Sequence, residues 1–105
     1  MITTLVQFKL PEPITPEKAK EIFLSTASKY TTVPGLLRKH YLLTEDGSTA
    51  GGVYLWRSRA EAESLFTADW VKFVADKYGS EPVLTWFVTP VVVDACSGTI
   101  ITDED

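Results

Sequence analysis

The chain has 105 residues, the length of one domain. Apolar residues supply 45% of it and charged residues 23%, a balance that excludes wholesale disorder. The formal net charge is −4, but Asp103, Glu104 and Asp105 hold three of the acids, so the body is near neutral and lacks the basic face that nucleic acid requires.

Residues 2–10 alternate, with Val6, Phe8 and Leu10 on one face and Leu5, Gln7 and Lys9 on the other. That predicts a first strand, closed by Pro11-Glu12-Pro13. The run is too short to cross a bilayer and shows no cleavage pattern, so a soluble cytoplasmic protein without membrane contact is expected. Thr15-Pro16-Glu17 starts a helix: the threonine caps, the proline suits the first turn and the glutamate favours the positive end of the dipole. Ala19, Ile22, Phe23, Thr26, Ala27 and Tyr30 form its buried stripe, and Pro34-Gly35 turns the chain.

Residues 36–45 and 50–57 predict strands two and three, with Asp46-Gly47 as the hairpin signal between them. Closure on Gly47-Ser48 sets Tyr41 opposite Tyr54 and Lys39 opposite Trp56; a one-residue change in the turn instead sets His40 opposite Trp56. Gly51-Gly52 marks a bulge or a close backbone approach. Ser58-Arg59-Ala60-Glu61 is a capping box, and Ala62, Leu65, Phe66, Trp70, Phe73, Val74 and Tyr78 continue a helical stripe that Thr67-Ala68-Asp69 can interrupt. Residues 83–95 predict a long last strand, bent or at an edge because of Pro90. Residues 99–102 can add a short strand, and the acidic end is expected to fray.

The order strand, helix, strand, strand, helix, strand is the split βαβ, ferredoxin-like pattern: an α+β fold with a four-stranded antiparallel sheet and two helices on one face. Residues 1–96 form this domain and 97–105 a C-terminal tail. The last strand is apolar on both faces, with Val83, Phe87, Val91 and Val93 on one and Leu84, Trp86, Val88 and Val92 on the other. Strand two is two-sided as well, with Leu36 and Leu42 facing opposite to Leu37 and Leu43. A sheet face of that kind needs cover, and a two-fold homodimer is the simplest closure.

One cysteine, Cys96, and one histidine, His40, exclude a disulfide and a Cys/His zinc site, and no nucleotide-binding glycine loop occurs. Neither a metal nor an organic cofactor is therefore expected, and Cys96 reads as a small packing residue. His40 titrates near neutrality, which makes it a candidate base or acid as well as an ordinary hydrogen-bonded strand residue. Tyr54 and Trp56 share a face, either as core aromatics or as the lining of a pocket, with Tyr41, Phe66 and Trp86 as further aromatic wall, Trp86 alternatively serving dimer or core packing. Arg38 and Lys39 suit an acidic or phenolate group or simply protect an edge, and Gln7 either orients a carbonyl or is solvated.

The segments Val33-Pro34-Gly35-Leu36, Arg38-Lys39-His40-Tyr41, Glu45-Asp46-Gly47 and Ala50-Gly51-Gly52-Val53-Tyr54-Leu55-Trp56-Arg57-Ser58 together resemble the YdhR-like mono-oxygenases of the dimeric α/β-barrel superfamily. The resemblance covers roughly residues 2–95. It implies a ferredoxin-like protomer, a homodimer and a pocket between sheet and helices. It also implies oxygenation of a small phenolic aromatic with molecular oxygen as co-substrate and no cofactor. Trp56 then matches a strand-three tryptophan of the quinone-forming relatives, and Gln7 stands near their asparagine. Haem degraders of the superfamily use a second-helix histidine, which residues 58–78 lack. On this reading Tyr54, Trp56 and Tyr41 orient substrate, and His40 or Lys39 handles the proton. A non-catalytic small-molecule-binding dimer, and a lyase, isomerase or cyclase, are the competing expectations.

Overall fold

The computed structural model describes residues 1–103. The chain runs β1 (Ile2–Lys9), α1 (Pro16–Tyr30), β2 (Leu36–Leu43), β3 (Thr49–Trp56), α2 (Arg59–Leu65), α3 (Ala68–Tyr78), β4 (Val83–Val88), β5 (Val91–Asp94) and β6 (Thr99–Thr102). The first four main strands form one antiparallel sheet in the order β2-β3-β1-β4, the ferredoxin-like topology, with the helices on one face. No helix is long and apolar enough to cross a membrane among the described residues.

Local chemistry sets the helix ends. Thr15 Oγ1 accepts from Lys18 N at 3.2 Å with Pro16 in the first turn. The second helical stripe is two helices, not one. Ser58 Oγ accepts from Glu61 N at 3.3 Å to start α2; that helix stops at Phe66, and Thr67 Oγ1 accepts from Trp70 N at 3.2 Å to start α3. In the capping box the Glu61 carboxylate accepts from the Ser58 hydroxyl at 3.0 Å.

The β2–β3 hairpin corrects both expected registers. Its loop is four residues, closed by Thr44 N donating to Thr49 O at 2.9 Å. Asp46 explains the longer loop: one carboxylate oxygen accepts from Ser48 N at 3.0 Å, Ser48 Oγ at 2.7 Å and Thr44 Oγ1 at 2.8 Å. These bonds, all to the charged form, hold the Asp46 pKa down at about 2. Gly47 sits at φ +76 against the Ile14 backbone. Lys39 therefore lies opposite Tyr54, His40 opposite Val53 and Tyr41 opposite Gly52, with a bulge at Leu37 between the Leu36 and Arg38 pairings. The bulge puts Leu36, Lys39, Tyr41 and Leu43 on one face, where strict alternation had separated Leu36 from Leu43. Gly51 is the close approach: a methyl group there would run into the Val6 carbonyl on β1.

The core lies between the sheet and the helices. Val6, Phe8, Ala50, Tyr54 and Trp56 from the sheet meet Ala19, Phe23, Ala62 and Val74 from the helices. The other face is bare, with Val83 65% and Phe87 49% exposed. The long last strand is divided at Thr89-Pro90, and its second part pairs with β6 into a separate hairpin, so residues 99–102 of the expected tail are a strand. Thr89 N donates to Met1 O at 3.0 Å, the Thr3 and Thr89 hydroxyls bond, and the N-terminal amine meets Asp103. Arg38 Nη2 reaches Asp94 Oδ2 at 4.0 Å. Cys96 stands exposed in the β5–β6 turn, so it is not a packing residue. The expected fraying of the acidic end falls partly on Glu104 and Asp105, outside the described residues.

Candidate functional site

Tyr54 and Trp56, two residues apart on β3, stack with centroids 6.0 Å apart and planes within 5°. The break between α2 and α3 turns Phe66 onto both, edge-on at 5.2 and 5.6 Å, and Phe66 also meets Trp70 at 4.8 Å and Trp86 at 6.0 Å. Trp56 is fully buried, and its Nε1 donates to Thr4 Oγ1 at 3.1 Å, so its polar tip is satisfied inside the core. Trp86 faces the helices from β4 with the Arg59 guanidinium 4.2 Å above its ring.

Beside this stack the register brings Lys39 into a cage of tyrosines. Its Nζ lies 3.3 Å from the ring centroid of Tyr30, 3.8 Å from Tyr41 and 4.7 Å from Tyr54. Tyr30 is held by Trp70 Nε1, which donates to its hydroxyl at 3.1 Å. Tyr41 is held by Thr26, hydroxyl to hydroxyl at 2.8 Å, and by Phe23 stacked at 4.7 Å. Among the described residues no carboxylate pairs with Lys39. Burial, and then the nearby Lys29 ammonium, pull its pKa from 10.5 to about 7. The ring faces act the other way and favour the ammonium. Burial raises the phenol of Tyr54 far above its ordinary value, that of Tyr78 to about 12 and that of Tyr41 upward. At neutral pH the site thus combines neutral phenols with an amine that can both hold and release a proton.

Lys39, Tyr30 and Tyr41 are the wall between two spaces. Inside, toward Tyr54, Phe23 and Tyr78, lies a cavity of about 20 Å³, room for a single water. Outside, between α1 and β2, opens a cleft of about 370 Å³ flanked by Ala27, Leu36, Leu37 and Arg38. Tyr54 lines the inner cavity and Trp56 does not.

Of the residues that sequence singled out, Lys39, Tyr41, Tyr54, Trp56, Phe66 and Trp86 share the helix-covered side of the sheet. His40 and Gln7 lie on the other face, exposed, opposite Val53 and between Gly51 and Val83 respectively. Sequence reasoning missed Tyr30, Thr26 and Trp70 as parts of the site. Their steps of three and four placed them inward, and the hairpin register that sets Lys39 among them was the missing signal. No three metal-ligating side chains come together among the described residues.

A two-stranded hairpin appended to a ferredoxin-like sheet, with an aromatic interior under the helices, places the chain in the α+β class. The family model described as "Putative mono-oxygenase ydhR" matches residues 4–84, which hold the whole cage, and the chain belongs to that family. The fold is similar to a monooxygenase from ActVA-Orf6 of Streptomyces coelicolor in complex with Nanaomycin D, with a TM-score of 0.61 at 20% identity over 84% of this chain and 86% of that one. It is similar to SnoaB, a cofactor-independent oxygenase from Streptomyces nogalater, with a TM-score of 0.61 at 16% identity over 84% and 91%. It is similar too to Rv0793 from Mycobacterium tuberculosis, with a TM-score of 0.59 at 11% identity over 90% and 99%. At these identities the likeness is one of fold. No curated protein matches the sequence.

Proposed function

We propose that the chain is a cytoplasmic, homodimeric, cofactor-independent mono-oxygenase of a small phenolic aromatic, with Lys39 as its proton acceptor. The observation that carries this reading is the caged amine: a lysine with a pKa of about 7, faced by three tyrosines, on the wall between an open cleft and the interior. Family membership supports the oxygenase class, and the cofactor-independent neighbour supports the absence of a cofactor.

The chemistry needs few groups. Neutral Lys39 takes a proton from an anthrone CH2 or a hydroquinone hydroxyl. The electron-rich anion passes an electron to oxygen, and the radical pair closes a carbon–oxygen bond. For an anthrone, the Lys39 ammonium returns its proton to the peroxide oxygen, and loss of water leaves a carbonyl. CH2 and O2 become C=O and H2O, with four electrons passing from carbon to oxygen. Tyr41 and Tyr54 orient the substrate ring and exclude water, and the buried Tyr54 phenol is a proton donor rather than a phenolate. Phe66 and Trp86 back that wall, and Trp56 acts as a positioning residue through its stack on Tyr54. The exposed placement of His40 and Gln7 favours Lys39 as the base. Because the inner cavity admits one water, substrate sits at the cleft side and the cage widens to receive it.

The homodimer reading draws on the bare sheet face and on the β5–β6 hairpin, whose Val91, Val93, Ile100 and Ile101 are all exposed. A non-catalytic dimer that binds a small molecule in the open cleft is the second reading. Oxygen-electrode measurements with anthrone and no added cofactor separate the two. The oxygenase consumes one oxygen per quinone formed, and Lys39→Met lowers the rate at least about 100-fold, as removal of a general base does. An unchanged oxygen trace with bound anthrone would establish the binder.

A further inference from the structure

The cleft between α1 and β2 carries a recognition chemistry that neither the fold nor the oxygenase reading specifies. Its volume, about 370 Å³, falls in the range of small-molecule sites. Its apolar surface comes from Ala27, Leu36 and Leu37, and its flanks are the rings of Tyr30 and Tyr41. Leu37 reaches it because the β2 bulge leaves that residue outside the ladder, 45% exposed. The charged side chains that line it are both cationic, Arg38 and Lys39, and no acid is among them. Arg38 has a counter-charge, Asp94 at 4.0 Å. Among the described residues Lys39 has none: it meets ring faces and the like charge of Lys29.

We propose that this cleft binds an aromatic carboxylate, its ring on Leu36 and Leu37 between Tyr30 and Tyr41 and its carboxylate on Lys39 Nζ. The inference goes beyond the oxygenase reading: an anion on Nζ keeps Lys39 protonated, so such a ligand competes with the neutral amine that the oxygenase step needs. A carboxylate there supplies the one partner that a partly buried ammonium lacks, in surroundings of low dielectric where a single charge pair counts for more than on the surface. It also carries a proton signature. The groups facing Lys39 are Lys29 and Tyr30 from α1, Arg38 and Tyr41 on β2, Tyr54 on β3 and Tyr78 from α3 across the inner cavity. Burial holds the phenols of Tyr41, Tyr54 and Tyr78 above their ordinary range. Lys39, with a pKa of about 7, is mostly neutral at pH 8 in the free protein. An anion beside it raises its proton affinity, so binding at pH 8 draws a proton from the buffer.

Isothermal titration of the full chain with 1-naphthoate and with uncharged 1-naphthalenemethanol, at pH 8 in two buffers of different ionisation heat, tests this without reference to oxygen. Naphthoate is expected to bind at least about ten-fold more tightly and to take up most of one proton. Lys39→Met should abolish both the preference and the uptake while leaving the alcohol bound. Lys39→Arg should restore the preference with no uptake, since its guanidinium is already charged. Equal affinity for the two ligands, a preference that survives in Lys39→Met, or uptake in Lys39→Arg would overturn the proposal. Anthrone carries no carboxylate, so its oxidation without naphthoate binding would sink this inference and spare the oxygenase, and the converse would do the reverse.

Discussion

Strand β2 sends neighbouring residues into opposite worlds. Lys39 and Tyr41 point under the helices, where burial moves a lysine pKa from 10.5 to about 7 and raises that of a tyrosine. His40 and Leu42 point the other way, onto a face that no described element covers. The helix side buries its aromatic rings and satisfies their polar tips, as with Trp56 on Thr4 and Trp70 on Tyr30. The bare side exposes Val83, Phe87 and Leu42 and ends in a hairpin with exposed valines and isoleucines. The difference teaches that residue type did not decide where chemistry collects. The histidine, nearest to neutral in free solution, went to the exposed face. The lysine, far from neutral in solution, went to the face where desolvation makes it useful.

Breaking the covered side should have the largest effect. Trp56→Ala removes a fully buried indole, the stacking partner of Tyr54 and the donor to Thr4. The expected loss is about 3–5 kcal/mol of stability, from the cavity and from the orphaned Thr4 hydroxyl. A chemical-denaturation midpoint that stays within experimental error of the wild type would contradict the placement of Trp56 in the core.

The pH dependence of stability sharpens the same contrast. The folded pKa of Lys39 lies below its unfolded value, so between about pH 7 and 10.5 the unfolded chain holds more protons than the folded one. Stability from this group therefore rises with pH across that window, and its cost is fully present below pH 7. The raised phenols act in the opposite sense above pH 10, where the unfolded tyrosines ionise first. The melting temperature should climb from pH 6.5 to 9, and Lys39→Met should flatten that climb. A wild-type slope that persists in the variant would assign it to another group.

On the bare side, Val91→Asp with Val93→Asp should cost the protomer less than about 0.5 kcal/mol, since both side chains are already more than half exposed. The same pair should dissociate the proposed homodimer by placing charge on its apolar arm. Chemical denaturation checks the first half and sedimentation velocity the second: a wild-type monomer at micromolar concentration, or an unaltered dimer in the double variant, would show that the hairpin is not the contact.

The fold was legible because its signals were local. The Thr15 and Ser58 caps, the break at Thr67, the Asp46-Gly47 turn and Pro90 each act within a few residues. The site was half legible. Closure on Gly47-Ser48 placed Lys39 and Tyr41 on the face of Tyr54, and the alternative turn placed His40 there; the structure keeps the parity of the first because its pairing is shifted from that one by two residues. The pairing of Lys39 with Tyr54 was not legible, because it depends on three oxygen and nitrogen donors gathering on the Asp46 carboxylate to lengthen the loop. Nor was the bulge at Leu37, which no residue type announces. The caging by Tyr30 required α1 and β2 to be docked.

The smallest expected effect is at His40, and it bears most directly on which side of the sheet works. His40 is the residue that solution chemistry nominates as the base. Its ring is exposed, pairs across β3 with Val53 rather than Tyr54, and lines neither the inner cavity nor the cleft. An imidazole on that face would have to act through the full thickness of the sheet to reach a substrate among the tyrosines, beyond hydrogen-bond reach. His40→Ala should shift stability by less than about 0.5 kcal/mol, as exposed substitutions do. It should leave cofactor-free oxygen uptake within about two-fold and the acid limb of its pH profile in place, because that limb follows Lys39 through pH 7. If His40→Ala instead removes the acid limb while Lys39→Met keeps it, proton transfer belongs to the bare face, and in the proposed homodimer a partner subunit over that face would complete the active site.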